Sequence, residues 1–123
     1  MTKLGGVFTA AAIAAAFVAA IPFAAQAANY DGAWTVTIMT QSGTCPSSLR
    51  YGVRVERGRV LADGQSYQVN GSVAANGATR VTVSEQGQSA SGTGRLSGNA
   101  GAGRWRTSTG QCAGQWTAER RNY

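Results

Sequence analysis

The sequence predicts an all-β protein: a small antiparallel up-and-down β-barrel of about eight short strands, set behind an N-terminal export signal. Three observations carry this. Apolar and polar residues alternate with period two along most of the chain. Turn residues punctuate the alternation at short intervals. From residue 28 onward, no stretch of ten residues or more places apolar side chains at i, i+3 and i+4, as a helix packed on a core requires. Such a meander protects its edges by closing into a barrel or by folding into a β-sandwich, which is the alternative.

The first element is not part of the fold. Lys3 provides a short positive start, residues 4–21 are apolar and rich in alanine, and Ala25-Gln26-Ala27 offers the small residues that a signal peptidase reads. Cleavage is expected after Ala27, leaving residues 28–123 as a single domain in the periplasm or outside a bacterial cell. An uncleaved membrane anchor would use the same apolar run. Pro22 and the small-residue site interrupt that run, so the mature protein is not expected to span the membrane.

The strands follow from the alternation. Trp34, Val36 and Ile38 oppose Thr35, Thr37 and Met39; Tyr51, Val53 and Val55 oppose Arg50, Arg54 and Glu56. Tyr67, Val69, Gly71 and Val73 form one face, and Val81 and Val83 sit between Arg80, Thr82 and Ser84. Turns are expected at Arg57-Gly58-Arg59, Asp63-Gly64-Gln65, Asn76-Gly77 and Gln86-Gly87-Gln88. The expected strands cover roughly residues 32–40, 49–57, 59–62, 66–74, 78–85, 88–97, 102–108 and 112–120.

A domain this small is marginal without a covalent staple. Cys45 and Cys112 are the only cysteines, and export into an oxidising compartment makes a disulfide the expected state. A loop of this length is worth about 4 kcal/mol in loop-closure entropy. The bond would bring the end of the first strand beside the start of the last, the adjacency that barrel closure needs. Direct opposition of the two cysteines would pair Ile38 with Glu119 and mix an apolar face with a polar one. A bulge within Gln41-Ser42-Gly43-Thr44 restores the parity, with Gly43 suited to positive φ; a disulfide between loops, silent about register, is the alternative.

Large and small residues are distributed unevenly. Residues 89–103 are dominated by glycine, serine and alanine, and Ala90, Gly92, Gly94 and Leu96 share one face. Small inner residues there make room for the indoles of Trp34, Trp105 and Trp116 across the core; the functional version is a glycine-walled cleft that a ligand enters. Gly92-Thr93-Gly94 lacks the following helix that phosphate binding requires.

The net charge is +6, from 11 basic and 5 acidic residues, and arginine is the only basic residue after the signal segment. Arg50, Arg54, Arg80, Arg95, Arg104 and Arg106 fall on the face opposite the apolar one. A basic outer wall keeps a β-protein soluble and blocks edge pairing. It also suits an anionic envelope glycan, lipid or protein, because the guanidinium fork pairs with phosphate and carboxylate through two hydrogen bonds. Nucleic acid is not an expected partner of an exported protein.

Histidine is absent, which excludes Ser-His-Asp catalysis, imidazole acid/base chemistry and histidine-bound metals. Asp31, Glu56, Asp63, Glu85 and Glu119 fall mostly at turns or outward positions, where a solvated charge is the default. No nucleophile–base pair emerges, so the chain is expected to bind rather than catalyse, with no metal and no cofactor. Inhibition of a periplasmic enzyme is a further binding function consistent with this.

Gly-x-Trp occurs at Gly32-Ala33-Trp34, Gly103-Arg104-Trp105 and Gly114-Gln115-Trp116. The first copy resembles the Gly-x-Trp that opens the first strand of the calycins, lipocalins and avidins among them. The resemblance implies that Arg120 or Arg121, from the last strand, packs on Trp34, and that a small ligand, haem or lipid, is held near the tryptophans. These strands look too short for a generous cavity. A broader likeness runs through Tyr30-Asp31-Gly32-Ala33-Trp34-Thr35-Val36, Cys45-Pro46, Tyr51, Gly58-Arg59-Val60, Gly94-Arg95-Leu96-Ser97-Gly98, Trp105 and Cys112-Ala113-Gly114-Gln115-Trp116. It is to small exported proteins of alphaproteobacteria, some labelled large exoproteins of haem utilisation or adhesion. In this short chain without histidine, Met39, the tyrosines or a cysteine free of the disulfide would be the haem ligands left.

Overall fold

A computed structural model describes residues 29–64 and 66–121; the expected signal segment, residues 1–27, lies outside them. Period-two sequence becomes eight strands: β1 (Gly32–Ser42), β2 (Ser48–Glu56), β3 (Arg59–Ala62), β4 (Gln68–Val73), β5 (Ala78–Glu85), β6 (Gln88–Ser97), β7 (Ala100–Thr107) and β8 (Ala113–Arg120). Each pairs antiparallel with its neighbours in the chain, and β1 pairs with β8 to close a barrel. The sandwich is therefore excluded: the two end strands have no free edge to leave open.

Tight turns fix the register. Glu56 pairs with Arg59 around Arg57-Gly58, and Glu85 pairs with Gln88 around Gln86-Gly87; all four turn residues have positive φ, the twist that two-residue hairpins favour. Ser97 pairs with Ala100, so Gly98-Asn99 alone makes the third such turn and β7 starts two residues before the expected position. β4 is shorter at both ends than expected, and Cys112 stands just before β8 rather than in it.

The parity problem between the first and last strands is solved where the sequence offered a solution. From Trp34 opposite Arg120 to Thr40 opposite Gly114 the register is continuous, then Ser42 pairs with Ala113, leaving Gln41 as the extra residue of a bulge. Ile38 consequently faces Trp116, not Glu119. Gly43, at φ 95°, turns the chain toward Cys45, and Cys45 joins Cys112 with their Cα atoms 6.2 Å apart. A Cβ on Gly43 would stand 2.7 Å from the Cys112 sulfur, so a larger residue would collide with the disulfide as well as strain the backbone.

The inner faces meet as expected. Trp34, Val53, Val55, Val60, Val73, Leu96, Trp105, Trp116 and Ala118 are buried inside the barrel. Burial of these side chains in place of water is the main favourable term of the fold. The small-residue stretch does what packing required: Trp116 lies along the β6–β7 wall, and Cβ atoms at Gly94 and Gly103 would stand 2.6 and 2.7 Å from its ring. Glycine is needed at both positions because a Cβ would collide with the neighbouring strand's backbone, the Ala102 carbonyl at Gly94 and the Thr93 carbonyl at Gly103, as well as with the indole.

Candidate functional site: the barrel lumen and its mouth

Strand direction divides the barrel into two ends. β1, β3, β5 and β7 run from one end to the other and the alternate strands return, so Tyr30, Trp34, Val73 and Leu96 gather at one end, and Leu49, Tyr51, Glu85, Gln88 and Thr107 at the other. The first end is sealed. The Trp34 indole N–H donates to the Tyr30 carbonyl at 2.9 Å, and the Tyr30 hydroxyl donates to the Leu96 carbonyl at 3.3 Å. The Arg120 guanidinium lies over Trp34, its central carbon 5.0 Å from the ring centroid. It also donates to the carbonyls of Asp31, Asn29 and Gly98 at 2.7, 3.0 and 3.1 Å. Of the two expected arginines, Arg120 packs on the indole. Arg121 crosses outside, donating to the Trp34 carbonyl at 3.2 Å and to Asp63 at 3.1 Å.

The second end is open. Behind it lies a cavity of about 250 Å³ lined by Trp34, Val36, Ile38, Val53, Val60, Val81, Val83, Ala90, Trp105, Trp116 and further mainly apolar residues. All three tryptophans singled out from the sequence border it. The strands do limit its size, since ligand pockets commonly run from ~300 to 1,000 Å³. They do not fill it, because the glycine face of β6 and β7 draws Trp116 against the wall.

Polar groups are concentrated at the mouth. Tyr51 donates its hydroxyl to Glu85 at 3.2 Å and meets Tyr67 edge-on, with ring centroids 5.1 Å apart. Burial first, and the Glu85 carboxylate second, raise the Tyr51 hydroxyl above its ordinary pKa. The Tyr67 hydroxyl donates to the Gly52 carbonyl at 2.6 Å and accepts from the Gly52 N–H at 3.2 Å. It thereby satisfies β2 just past the end of β3, which has only four residues. Opposite, the Cys45–Cys112 disulfide ties the β1–β2 and β7–β8 loops together, and the Cys45 N–H points at the Cys112 sulfur at 3.2 Å.

Glu85 is the site residue that the outward assignment of carboxylates missed. The signal was there: continuing the Val81, Val83 alternation by one step places residue 85 inside. Among the described residues it is the only charged side chain lining the lumen.

The six arginines are exposed, as alternation required, but they do not form one patch. Arg80 on β5 and Arg104 on β7 both lie across from Thr93 on β6, about 10 Å apart at ordinary strand spacing. Arg95 and Arg106 stand on the same wall, and Arg104 and Arg106 border a shallow outer groove with Thr93, Gln115 and Gln41. Arg50 and Arg54 are on β2, away from that wall, and Arg54 is paired with Glu56 at 3.2 Å. Among the described residues no carboxylate lies within ion-pair distance of Arg80, Arg95, Arg104 or Arg106.

No protein-family model matches this chain, and no curated protein matches it.

Proposed function

We propose that the protein is an exported binder of a small, largely apolar molecule, held in the barrel lumen and admitted through the mouth near Tyr51 and Glu85. One observation carries the reading: an apolar cavity of about 250 Å³, sealed at one end and open at the other. An apolar lumen that opens to solvent holds water against apolar walls, and an apolar molecule that displaces this water gains about 25 cal/mol for each Å² of apolar surface buried. The disulfide agrees with export to the periplasm or beyond, and with the signal segment read in residues 1–27.

The test is a titration of the oxidised protein with naphthalene and 1-octanol, followed by tryptophan emission, since Trp105 and Trp116 border the cavity. Saturable change is expected, and Ala90→Phe, which fills the lumen from β6, should abolish it without unfolding the barrel. Emission that changes only linearly with probe, or equally in Ala90→Phe, overturns the reading.

A second reading rests on the unpaired arginines of the β5–β7 wall. Arg80, Arg95, Arg104 and Arg106 support docking of an anionic envelope glycan, lipid or protein on that face. Replacing all four by Gln should lower the salt needed to elute the protein from immobilised heparin, while Arg54→Gln should have little effect because Glu56 already occupies that guanidinium. Equal elution of the quadruple variant and the parent defeats this reading.

A further inference from the structure

The chemistry of the mouth specifies the ligand further. We infer that the molecule held in the lumen is an amine, with an apolar body inside and a protonated nitrogen at the Glu85 carboxylate. This rests on the lumen being the binding site.

The argument begins with charge. The lumen wall is aliphatic and aromatic, and Glu85 is its one charged side chain among the described residues. Outside, arginine dominates, but those side chains project away from the barrel. No arginine nitrogen lies within ion-pair distance of Glu85 among the described residues. A carboxylate at the rim of an apolar cavity, with no cation of its own, is an acceptor in search of a donor. Tyr51 supplies one neutral hydrogen bond to Oε1. A bond from a charged donor is stronger by roughly twofold.

Geometry agrees with that assignment. Tyr51 fixes the position of the carboxylate and is itself held edge-on by Tyr67. The mouth thus presents an anchored anion beside two aromatic rings, surroundings that favour an organic cation over an anion. Fatty acids and other carboxylates, the first guess for an apolar barrel inside a basic protein, would place like charges together at this rim.

Octylamine, 1-octanol and octanoate share a chain and differ at the head, so they separate the possibilities. Titrated into the oxidised protein at neutral pH and followed by tryptophan emission and calorimetry, octylamine should bind at least tenfold more tightly than 1-octanol, and octanoate most weakly. Glu85→Gln should bring octylamine down to the 1-octanol level, and Glu85→Lys should invert the order in favour of octanoate. Chemical denaturation of each variant reports whether the barrel is intact. If all three probes bind alike, or octanoate binds best to the parent, the lumen reading stands and the amine assignment falls. Failure of all three to bind removes both.

Discussion

The two ends of this barrel are held together by different means. At the closed end, Tyr30, Trp34, Leu96 and Arg120 form an apolar plug whose polar atoms nearly all find backbone partners. At the open end the strands are tied by the Cys45–Cys112 bond and by the Tyr67 hydroxyl on Gly52, and the interior between them is not filled. A small barrel that plugged both ends would be more stable and would bind nothing. Covalent closure of one end lets the lumen stay open there without the packing that would otherwise secure it.

This contrast can be broken by substitution. The largest effect is expected for Trp34→Ala, which removes a 1 % exposed indole at the closed end and should cost about 3–5 kcal/mol in chemical denaturation. A loss below about 1 kcal/mol would show that the plug does not carry the closed end. Reduction, or the Cys45→Ala/Cys112→Ala pair, should cost about 2–4 kcal/mol. Amide exchange should locate that loss: residues 43–47 and 108–112 should lose protection while residues 30–34 keep theirs. Uniform loss would contradict the division into two ends.

Arg120→Gln sharpens the account of the plug. It deletes the contact with Trp34 and bonds from a charged donor to three carbonyls, so a loss of about 2 kcal/mol is expected. Gly94→Ala should cost about 1–3 kcal/mol through overpacking against the Ala102 carbonyl of β7 and the Trp116 ring, and should push the ring into the lumen. Weaker probe binding in that variant would link the glycine wall to cavity volume. The smallest effect concerns pH. Tyr51 has a folded-state pKa above its ordinary value, so its contribution is fully present below pH ~10 and is lost as pH rises through the folded value. Stability should therefore fall more steeply above pH 10 in the parent than in Tyr51→Phe; identical slopes would remove Tyr51 as the cause.

Much of this was readable in advance because a β-barrel writes its architecture in alternation. Once Trp34, Val53, Val81 and Leu96 are assigned to one face, the core and the exposure of the six arginines follow. The bulge was locatable because opposing Cys45 and Cys112 directly gives the wrong parity, and Gly43 stands where the chain must bend. At Glu85 residue type and position disagree: carboxylates usually face water, yet its place in the β5 alternation puts it inside. The alignment of Arg80 and Arg104 across Thr93 was not legible: an up-and-down order puts β5, β6 and β7 side by side, but the β6–β7 register rests on the Gly98-Asn99 turn, which starts β7 two residues before the expected position.

The sequence by itself determined the strand count, the inner and outer faces, the disulfide pair and the need for small residues beneath a large indole. These are local rules of period, turn chemistry and volume, and each acts within a strand or between adjacent ones. Only the tertiary structure decided that Arg120 rather than Arg121 packs on Trp34, that Trp116 lies against the β6–β7 wall, and that one end seals while the other stays open. Those outcomes depend on tilt and closure, which set how far side chains from nonadjacent strands reach across the axis.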